Sequence, residues 1–276
     1  MSNRRPPRDR GRSGPPRGRP ASAAPTSWDP LATWYDGWVG EGGSEYHRHV
    51  AVPAVLKLLQ LQRGDQVLDV GAGQGVLAAP VAQAGAKYTG VDASPRLIAL
   101  ARQRHGRDGE FVVGDARRLF AVPGIEEHRY DAVTFLLSLQ DMDPLDPVVA
   151  NASRALKPGG RLVVLLTHPT FRVPRQSGWG WDDGRKLVYR RVDRYLTPLP
   201  VPMKALPGKD NAATTRSFHR PISEYVNSMA ANGLLIDHMD EIPAHKLQGA
   251  GQSMKAEDAA RREIPLFLAL RARSLR

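Results

Sequence analysis

The feature that most constrains the fold is a short apolar stretch that runs into three alternating glycines. Residues 67–75 read Val-Leu-Asp-Val-Gly-Ala-Gly-Gln-Gly. A strand followed by such a turn and then a helix lets the backbone turn tightly, and lets a ligand approach without meeting a Cβ atom. Residue 76 is valine, whereas the dinucleotide-binding fingerprint requires glycine there. A pyrophosphate cradle and a dehydrogenase are therefore disfavoured.

Strand-like and helix-like segments alternate from Trp28 onward. Strands separated by single helices form right-handed crossovers, which give a mostly parallel sheet with helices on both faces. The sequence therefore predicts the α/β class, with a doubly wound sheet in a domain that spans residues 28–276. Strands are predicted at 66–70, 87–92, 110–113, 130–136, 161–167, 234–239 and 266–270, and helices at 52–61, 76–84, 94–105, 147–156 and 223–232.

Residues 168–220 interrupt this alternation with many prolines and several large aromatic side chains. Residues 186–196 predict a strand, with residues 214–218 as its antiparallel partner. Long insertions between core elements are more often functional than not, so we interpret this one as a substrate lid. The aromatic side chains of the insertion could stack on a flat acceptor, and its arginines could bind a carboxylate or phosphate group. Alternatively, the aromatic side chains pack on the sheet and the arginines point to water. They are Phe171, Trp179, Trp181, Tyr189 and Tyr195, and Arg172, Arg175, Arg190, Arg191 and Arg194.

Positive charge is concentrated at the start of the chain. The whole sequence has a net charge of +11, and residues 1–27 combine seven arginines and one acid with Pro, Gly and Ser. Such a segment has too few large apolar side chains to offset the entropy of ordering, so we predict that it is disordered. Two interpretations stay open: a tether for nucleic acid, or a solubilising extension.

The absence of cysteine excludes several kinds of site. Disulfides, Cys-ligated zinc, iron–sulfur clusters and thiol nucleophiles are all impossible, and no metal site is expected.

The longest apolar runs fall far short of the 18 or more residues that span a bilayer, and the arginine-rich start lacks the apolar core of a signal peptide. We therefore expect a cytoplasmic protein that does not interact with membranes.

Three acids lie at the carboxyl ends of three successive predicted strands: Asp69, Asp92 and Asp115. Each one alone could be a helix cap or a solvated loop residue. Together, beside the glycine turn, they indicate a ligand site, because ligands of open α/β sheets bind at the carboxyl ends of the strands. A carboxylate at the end of the second strand can accept hydrogen bonds from both hydroxyls of a ribose.

These motifs resemble those of the class I S-adenosylmethionine-dependent methyltransferases, especially the small "type 11" group. The resemblance rests on residues 68–75, 90–94, 114–116 and 156–162, the last reading Leu-Lys-Pro-Gly-Gly-Arg-Leu. It implies a Rossmann-like sheet in the order 3-2-1-4-5-7-6, in which only strand seven is antiparallel. It also implies S-adenosyl-L-methionine as the cofactor and methyl transfer as the activity.

The resemblance further implies a set of cofactor contacts. The glycines would face the methionine and ribose portions, Asp69 the amino group, Asp92 the ribose hydroxyls, and Asp115 the adenine. Two tyrosines would cover the cofactor, although ordinary core packing explains them equally well. Ala72 departs from the Cys, Ser or Thr common in the family, a conservative change. The implied cofactor residues are Tyr35, Tyr46, Asp69, Gly71, Ala72, Gly73, Gly75, Asp92, Ala93, Asp115, Ala116, Leu137 and Ser138.

Methyl transfer needs a catalytic base only when the acceptor must lose a proton. His168 follows the fifth strand and is the first candidate base, although a histidine hydrogen-bonded in a turn explains it equally well. Asp141 and His219 are weaker candidates.

Three hypotheses for function follow. The first is methyl transfer to an O, N or C nucleophile of a small molecule, with a planar or anionic acceptor suggested by the insertion. The second is methylation of ribose or guanine in RNA, supported by the basic tail and the arginines of the insertion. The third is a catalytically silent cofactor-binding module.

Overall fold

The structure is a computed structural model that describes residues 28–204, 214–244 and 252–275. The tail predicted to be disordered, residues 1–27, lies outside the described residues. Within them the strands are β1 (Gln66–Val70), β2 (Lys87–Asp92), β3 (Glu110–Val113), β4 (Tyr130–Leu136), β5 (Leu156–Thr167), β6 (Ser177–Asp182), β7 (Leu187–Val192), β8 (Leu199–Lys204), β9 (Thr214–His219), β10 (Leu234–Ile242) and β11 (Phe267–Ser274). The helices are α1 (Ala32–Val39), α2 (Val52–Leu59), α3 (Ala78–Gln83), α4 (Pro95–His105), α5 (Leu145–Ala155), α6 (Ile222–Ala231) and α7 (Gln252–Glu263).

Seven of the strands form one sheet in the order β10-β11-β5-β4-β1-β2-β3. β1 is parallel to both its neighbours, with Leu68 opposite Thr89 of β2 and Val133 of β4. β11 runs antiparallel to β5 and β10. With β10 and β11 as the sixth and seventh strands of the sheet, this is the order 3-2-1-4-5-7-6 with an antiparallel seventh strand, so the predicted fold is confirmed.

The sheet is covered on both faces, because successive side chains of its central strands enter different apolar clusters. Leu68 and Val70 of β1 pack in one cluster with Val149 of α5 and Met229 of α6. Val67 packs on the opposite face, in a cluster that includes residues of α2, α3 and α4. β1 is therefore apolar on both sides, as expected for a parallel strand inside a doubly wound sheet.

The local signals in the sequence explain where α4 begins. Ser94 precedes the helix and its Oγ accepts a hydrogen bond of 3.1 Å from the amide of Leu97, while Pro95 occupies the first helical position. A capping serine followed by proline is a favoured helix start. This start fixes the loop between β2 and α4 at the carboxyl edge of the sheet.

The insertion contains two local antiparallel hairpins. β6 pairs with β7, and β8 pairs with β9. The insertion is thus antiparallel as predicted, but the predicted pairing of residues 186–196 with 214–218 is wrong. Each strand pairs instead with a partner nearer in sequence, which costs less loop entropy.

Both missed partners have strand-breaking composition, which hid them in the sequence. β6 contains two glycines, and β8 contains Pro200 and Pro202. These prolines are two residues apart, so both lack an N–H on the same edge of the strand. β8 is half of a two-stranded sheet, and such an edge position tolerates proline.

Among the described helices, none has the length and apolarity needed to cross a membrane.

Candidate active site

A cavity of about 430 Å³ opens at the carboxyl edge of β1, β2, β3 and β4. One wall, which we call the strand wall, is built from the segments that follow these four strands. Residues of the N-terminal segment, of β8 and β9, and of the start of β11 close the opposite side. The sequence-predicted residues that line the cavity are Tyr35, Tyr46, Gly71, Gly73, Asp92, Ala93, Asp115, Ala116, Leu137, Ser138 and Asp141.

The three glycines of the turn have positive φ angles, but they serve different purposes. A Cβ atom on Gly71 would lie 2.5 Å from Cβ of Ser138, so this glycine permits the close approach of the loop after β4. A Cβ atom on Gly73 would meet nothing nearer than Tyr35 at 3.8 Å, across the cavity. Gly75 lies outside the cavity lining, where a Cβ atom would be 2.8 Å from the ring of Phe111. Gly75 therefore maintains packing behind the turn.

Asp92 connects the glycine turn to the start of α4. Its Oδ2 accepts a hydrogen bond of 2.9 Å from the amide of Gly73, and its Oδ1 accepts one of 2.8 Å from the amide of Ser94. Burial raises the pKa of this carboxyl group, and the two amides oppose that shift. A carboxylate oxygen has two acceptor sites, so each oxygen keeps capacity for one further donor from the cavity.

Asp69 and Ala72 lie behind the cavity lining. Asp69 is buried, and its Oδ2 accepts a hydrogen bond of 2.7 Å from the hydroxyl of Tyr88. Its Oδ1 has no hydrogen-bond partner among the described residues, and burial raises the pKa of Asp69 to about 7. Ala72 packs close to Gly90 of β2, where a Cβ atom on the glycine would lie 2.9 Å from that of Ala72.

Asp115 and Arg117 form the rim at the end of β3. The guanidinium of Arg117 donates to Asp115 from Nη2 at 2.7 Å and from Nε at 3.0 Å. These hydrogen bonds hold the pKa of Asp115 below its ordinary value. Asp115 is therefore ionised and oriented, with Ala116 beside it in the lining.

The loop after β4 is held against the glycine turn. The Oγ of Ser138 donates a hydrogen bond of 2.6 Å to the carbonyl of Val70, at the end of β1. Leu137 has a φ of 55°, an unusual conformation for a residue with a branched side chain. Strained backbone of this kind concentrates at functional sites. No local sequence pattern predicts this backbone conformation of Leu137.

Asp141 lies in the lining, in the segment that follows β4. Its Oδ2 accepts a hydrogen bond of 3.0 Å from the indole Nε1 of Trp28. Burial raises the pKa of Asp141 to about 7, while hydrogen bonds from Ser217 and Trp28 act in the opposite direction. A carboxylate with a pKa near neutrality can accept a proton and release it again at physiological pH.

The two histidine candidates lie outside the cavity lining. His168 is buried, its Nδ1 accepts a hydrogen bond of 3.2 Å from the amide of Thr170, and its Nε2 lies 2.9 Å from Oε1 of Glu241. Burial lowers the pKa of His168. The Nε2 of His219 is 2.6 Å from the carbonyl of Tyr195. Neither histidine is among the residues that line the cavity.

Residues 28–51, which we call the cover segment, lie over the cavity. Asp36 forms a bidentate ion pair with Arg104 of α4, with contacts of 2.5 and 2.9 Å. Asp29 accepts a hydrogen bond of 2.7 Å from the hydroxyl of Ser94. Trp28 and Tyr35 pack with ring centroids 5.3 Å apart. These contacts hold the predicted Tyr35 in the lining.

Sequence reasoning missed several residues of the lining. β8 and β9 each contribute one, Met203 and Ser217, whereas no described residue of β6 or β7 reaches the cavity. The β8–β9 hairpin of the insertion therefore borders the site, and the β6–β7 hairpin does not. The missed residues come from elements distant in sequence and belong to no motif; they include Trp28, Trp38, Met203, Ser217, Leu266 and Phe267.

Comparison with known proteins agrees with this architecture. Residues 68–164 match a family model described as "Methyltransferase domain". A solved structure of an S-adenosylmethionine-dependent methyltransferase from Mesorhizobium loti superposes with a TM-score of 0.63 at 24% sequence identity, covering 85% of this chain and 100% of that one. The fold is therefore that of a Rossmann-like methyltransferase.

Curated relatives carry related names. The demethylmenaquinone methyltransferase of Tropheryma whipplei is 37% identical over 147 residues, which are 52% of this chain and 55% of that protein. The ubiquinone biosynthesis O-methyltransferase of Coxiella burnetii is 28% identical over 139 residues, 49% of this chain and 59% of that protein. The chain thus spans little more than half the length of the relatives it matches. The resemblance to the class I S-adenosylmethionine-dependent methyltransferases is confirmed, and the match to the methyltransferase family model covers residues 68–164.

Proposed function

We propose that this protein transfers a methyl group from S-adenosyl-L-methionine to a small-molecule acceptor in the cavity at the edge of the sheet. The observation that carries the proposal is the presence of two features in one cavity. The family motifs line the strand wall, and Asp141, with its pKa near 7, lies in the same lining after β4. The motif residues would hold the cofactor, and Asp141 would serve the acceptor.

The residues present fit this cofactor. Asp92 keeps free acceptor capacity on both oxygens, as two ribose hydroxyls require. The backbone at Gly73 is open, because a Cβ atom there would meet no atom closer than 3.8 Å. Asp115 is ionised at the next strand end, where the resemblance implies the adenine.

When bound, the cofactor supplies a methyl group made electrophilic by its sulfonium. The chain's own residues would position and activate the acceptor. Asp141, in its ionised form, would accept the proton that a hydroxyl or amine loses when it is methylated. Trp28 and Ser217 would keep its carboxylate oriented through their hydrogen bonds. The segments over the cavity would exclude water from the reacting atoms.

The relatives support a planar acceptor. Both carry names that refer to quinones, whose rings are planar. The cavity lining here includes aromatic rings from the cover segment and from β11, namely Tyr35, Trp38, Tyr46 and Phe267. Aromatic side chains of this kind can stack on a flat ring.

The acceptor class can be tested by incubating the protein with methyl-labelled S-adenosylmethionine and fractionated small-molecule and RNA extracts. We expect label in a small-molecule fraction. Label found in RNA alone would make RNA methylation the function. Binding of the cofactor without transfer to any fraction would indicate the catalytically silent module.

The role of Asp141 is tested by Asp141→Asn. We expect kcat to fall by about 10²- to 10⁴-fold, the usual contribution of a general base, with cofactor affinity retained. In the native enzyme, activity should fall as the pH drops below about 7, because the base is then protonated. Asp143→Asn, an equal change two residues away in the same lining, is the control. Equal activity of the Asp141→Asn variant and the native enzyme would remove the base from the mechanism.

A further inference from the structure

Three arginines surround the indole of Trp179, beside the cavity but outside its lining. The guanidinium carbons of Arg172, Arg190 and Arg261 lie 5.0, 5.1 and 5.8 Å from the centroid of the Trp179 ring. Trp179 and Arg190 belong to the β6–β7 hairpin, Arg172 to the loop after β5, and Arg261 to α7. Each cation is attracted to the ring, but the three positive charges repel one another.

Part of the hydrogen-bonding capacity of these guanidinium groups is unused. Arg172 donates from Nε to the carbonyl of Pro265 at 3.2 Å, and Arg190 donates from Nη2 to the hydroxyl of Ser177 at 2.8 Å. The Nη1 atoms of Arg172 and Arg190 have no hydrogen-bond partner in the described part of the chain. Arg261 makes no hydrogen bond to any described residue. A guanidinium has five N–H donors, so the cluster retains many.

No carboxylate among the described residues forms an ion pair with any of these three arginines. The next residue along α7 shows the contrast, since Arg262 pairs with Asp258 at 3.2 Å. Burial, together with the charges of Arg190 and Arg261, lowers the pKa of Arg172 to about 10. The cluster stays charged at neutral pH, and its repulsion is uncompensated within the described structure.

Arg172 connects the cluster to two parts of the cavity lining. Arg172 donates to the carbonyl of Pro265, and the next residue, Leu266, lines the cavity. The phenolic oxygen of Tyr46, which also lines the cavity, is close enough to Arg172 to influence its pKa. A molecule seated in the cavity could therefore extend a charged group toward the arginines.

We propose that Arg172, Arg190 and Arg261 form a binding site for an oxyanion, a carboxylate or phosphate group, carried by the methyl acceptor. Arginine suits this role because its planar fork matches both kinds of oxyanion. Trp179 keeps the three side chains in place through its ring. The identity of the molecule that carries the oxyanion rests on the proposed function, whereas the site itself rests on the cluster.

The first experiment uses inorganic phosphate as the probe and NMR titration of the full chain as the readout. Arg261→Gln removes the guanidinium that has no other described role, and Arg262→Gln is the matched control on the same helix. We expect phosphate affinity to fall by about tenfold in Arg261→Gln, as for the loss of one charge-assisted contact, and to stay unchanged in Arg262→Gln. Equal affinities in the two variants, or no phosphate binding by the native chain, would overturn the proposal.

A second experiment identifies the source of the oxyanion. The probes are 4-hydroxybenzoate and its neutral methyl ester, and the readout is again binding rather than turnover. Tighter binding of the acid than of the ester, with the preference lost in Arg261→Gln, supports an oxyanion on the acceptor. Arg261-dependent binding of phosphate without that preference contradicts the acceptor as the source and leaves a site for free phosphate.

A third measurement separates this inference from the proposed function. S-adenosylhomocysteine should bind the native chain and Arg261→Gln equally well, which also shows that the variant is folded. If S-adenosylhomocysteine does not bind the native chain, the proposed function is overturned but the oxyanion site is not. The phosphate titration would still decide whether the oxyanion site exists.

Discussion

The two sides of the cavity differ in where their residues come from. The strand wall is built from four short segments, each at the carboxyl end of one of the strands β1 to β4: Gly71, Asp92, Asp115 and Ser138 are examples. The opposite side combines the cover segment with residues of β8, β9 and β11, whose partners across the cavity are distant in sequence. Trp28 and Asp141, for instance, are 113 positions apart.

This difference in origin has an energetic counterpart. The strand wall follows strands with fully buried residues, so its backbone is fixed by the core. The cover segment combines buried apolar residues, such as Leu31 and Ala51, with side-chain pairs such as Asp36–Arg104, and its Trp38 is 59% exposed. The cover segment is therefore fixed through side chains as well as through the core.

The largest effect should come from the strand wall, at Asp92. Asp92→Ala removes the carboxylate that we propose accepts hydrogen bonds from two ribose hydroxyls, and each hydrogen bond to a charged group contributes about 1.5–3 kcal/mol. We expect calorimetry to show a loss of S-adenosylhomocysteine affinity of about 100-fold or more. Asp115→Ala, at the next strand end, is the comparison and should lose less, because Asp115 is more exposed and already paired with Arg117. Unchanged affinity in Asp92→Ala would refute the ribose assignment.

A smaller effect on stability should separate two glycines of the same turn. Gly75→Ala forces a Cβ atom against Phe111 at a positive φ, and overpacking of this kind costs about 2 kcal/mol. We expect a lower Tm in Gly75→Ala than in Gly73→Ala, whose Cβ atom would have open space. Gly73→Ala should instead weaken cofactor binding. A reversal of this order in thermal melting would contradict the roles given to the two glycines.

The smallest effect should come from the opposite side of the cavity, at Ser217. Its hydrogen bond lowers the pKa of Asp141, so Ser217→Ala should raise that pKa. The acidic limb of the pH–activity profile should then move to higher pH by about one unit, because about 1.4 kcal/mol corresponds to one pKa unit. Thr215→Ala, two residues earlier in β9, should leave the profile in place. A profile that does not shift in Ser217→Ala would argue that Asp141 is not the titrating base.

The strand wall could be predicted from the sequence because its signals are local. β1, β2, β3 and β4 have the predicted bounds, since buried parallel strands are short apolar runs bounded by turn residues. The helices deviate slightly; α3, for example, begins at Ala78 rather than at residue 76. The order of the sheet followed from the motifs, through the family they resemble.

The opposite side could not be predicted in the same way, because its geometry depends on tertiary contacts. Ser217 and Met203 enter the cavity through a β8–β9 pairing that two prolines hid. Arg261 reaches Trp179 from a helix that the sequence analysis did not predict. His168 looked favourable from its position after β5, but its ring turns to Glu241. No local pattern encodes that direction.

The most direct test of the central claim is a crystal structure of the protein with S-adenosylhomocysteine. We expect the ligand to lie along the strand wall, with its ribose hydroxyls hydrogen-bonded to Asp92 and its sulfur toward Asp141. Ligand bound elsewhere, or a ribose that makes no contact with Asp92, would contradict the proposed cofactor site.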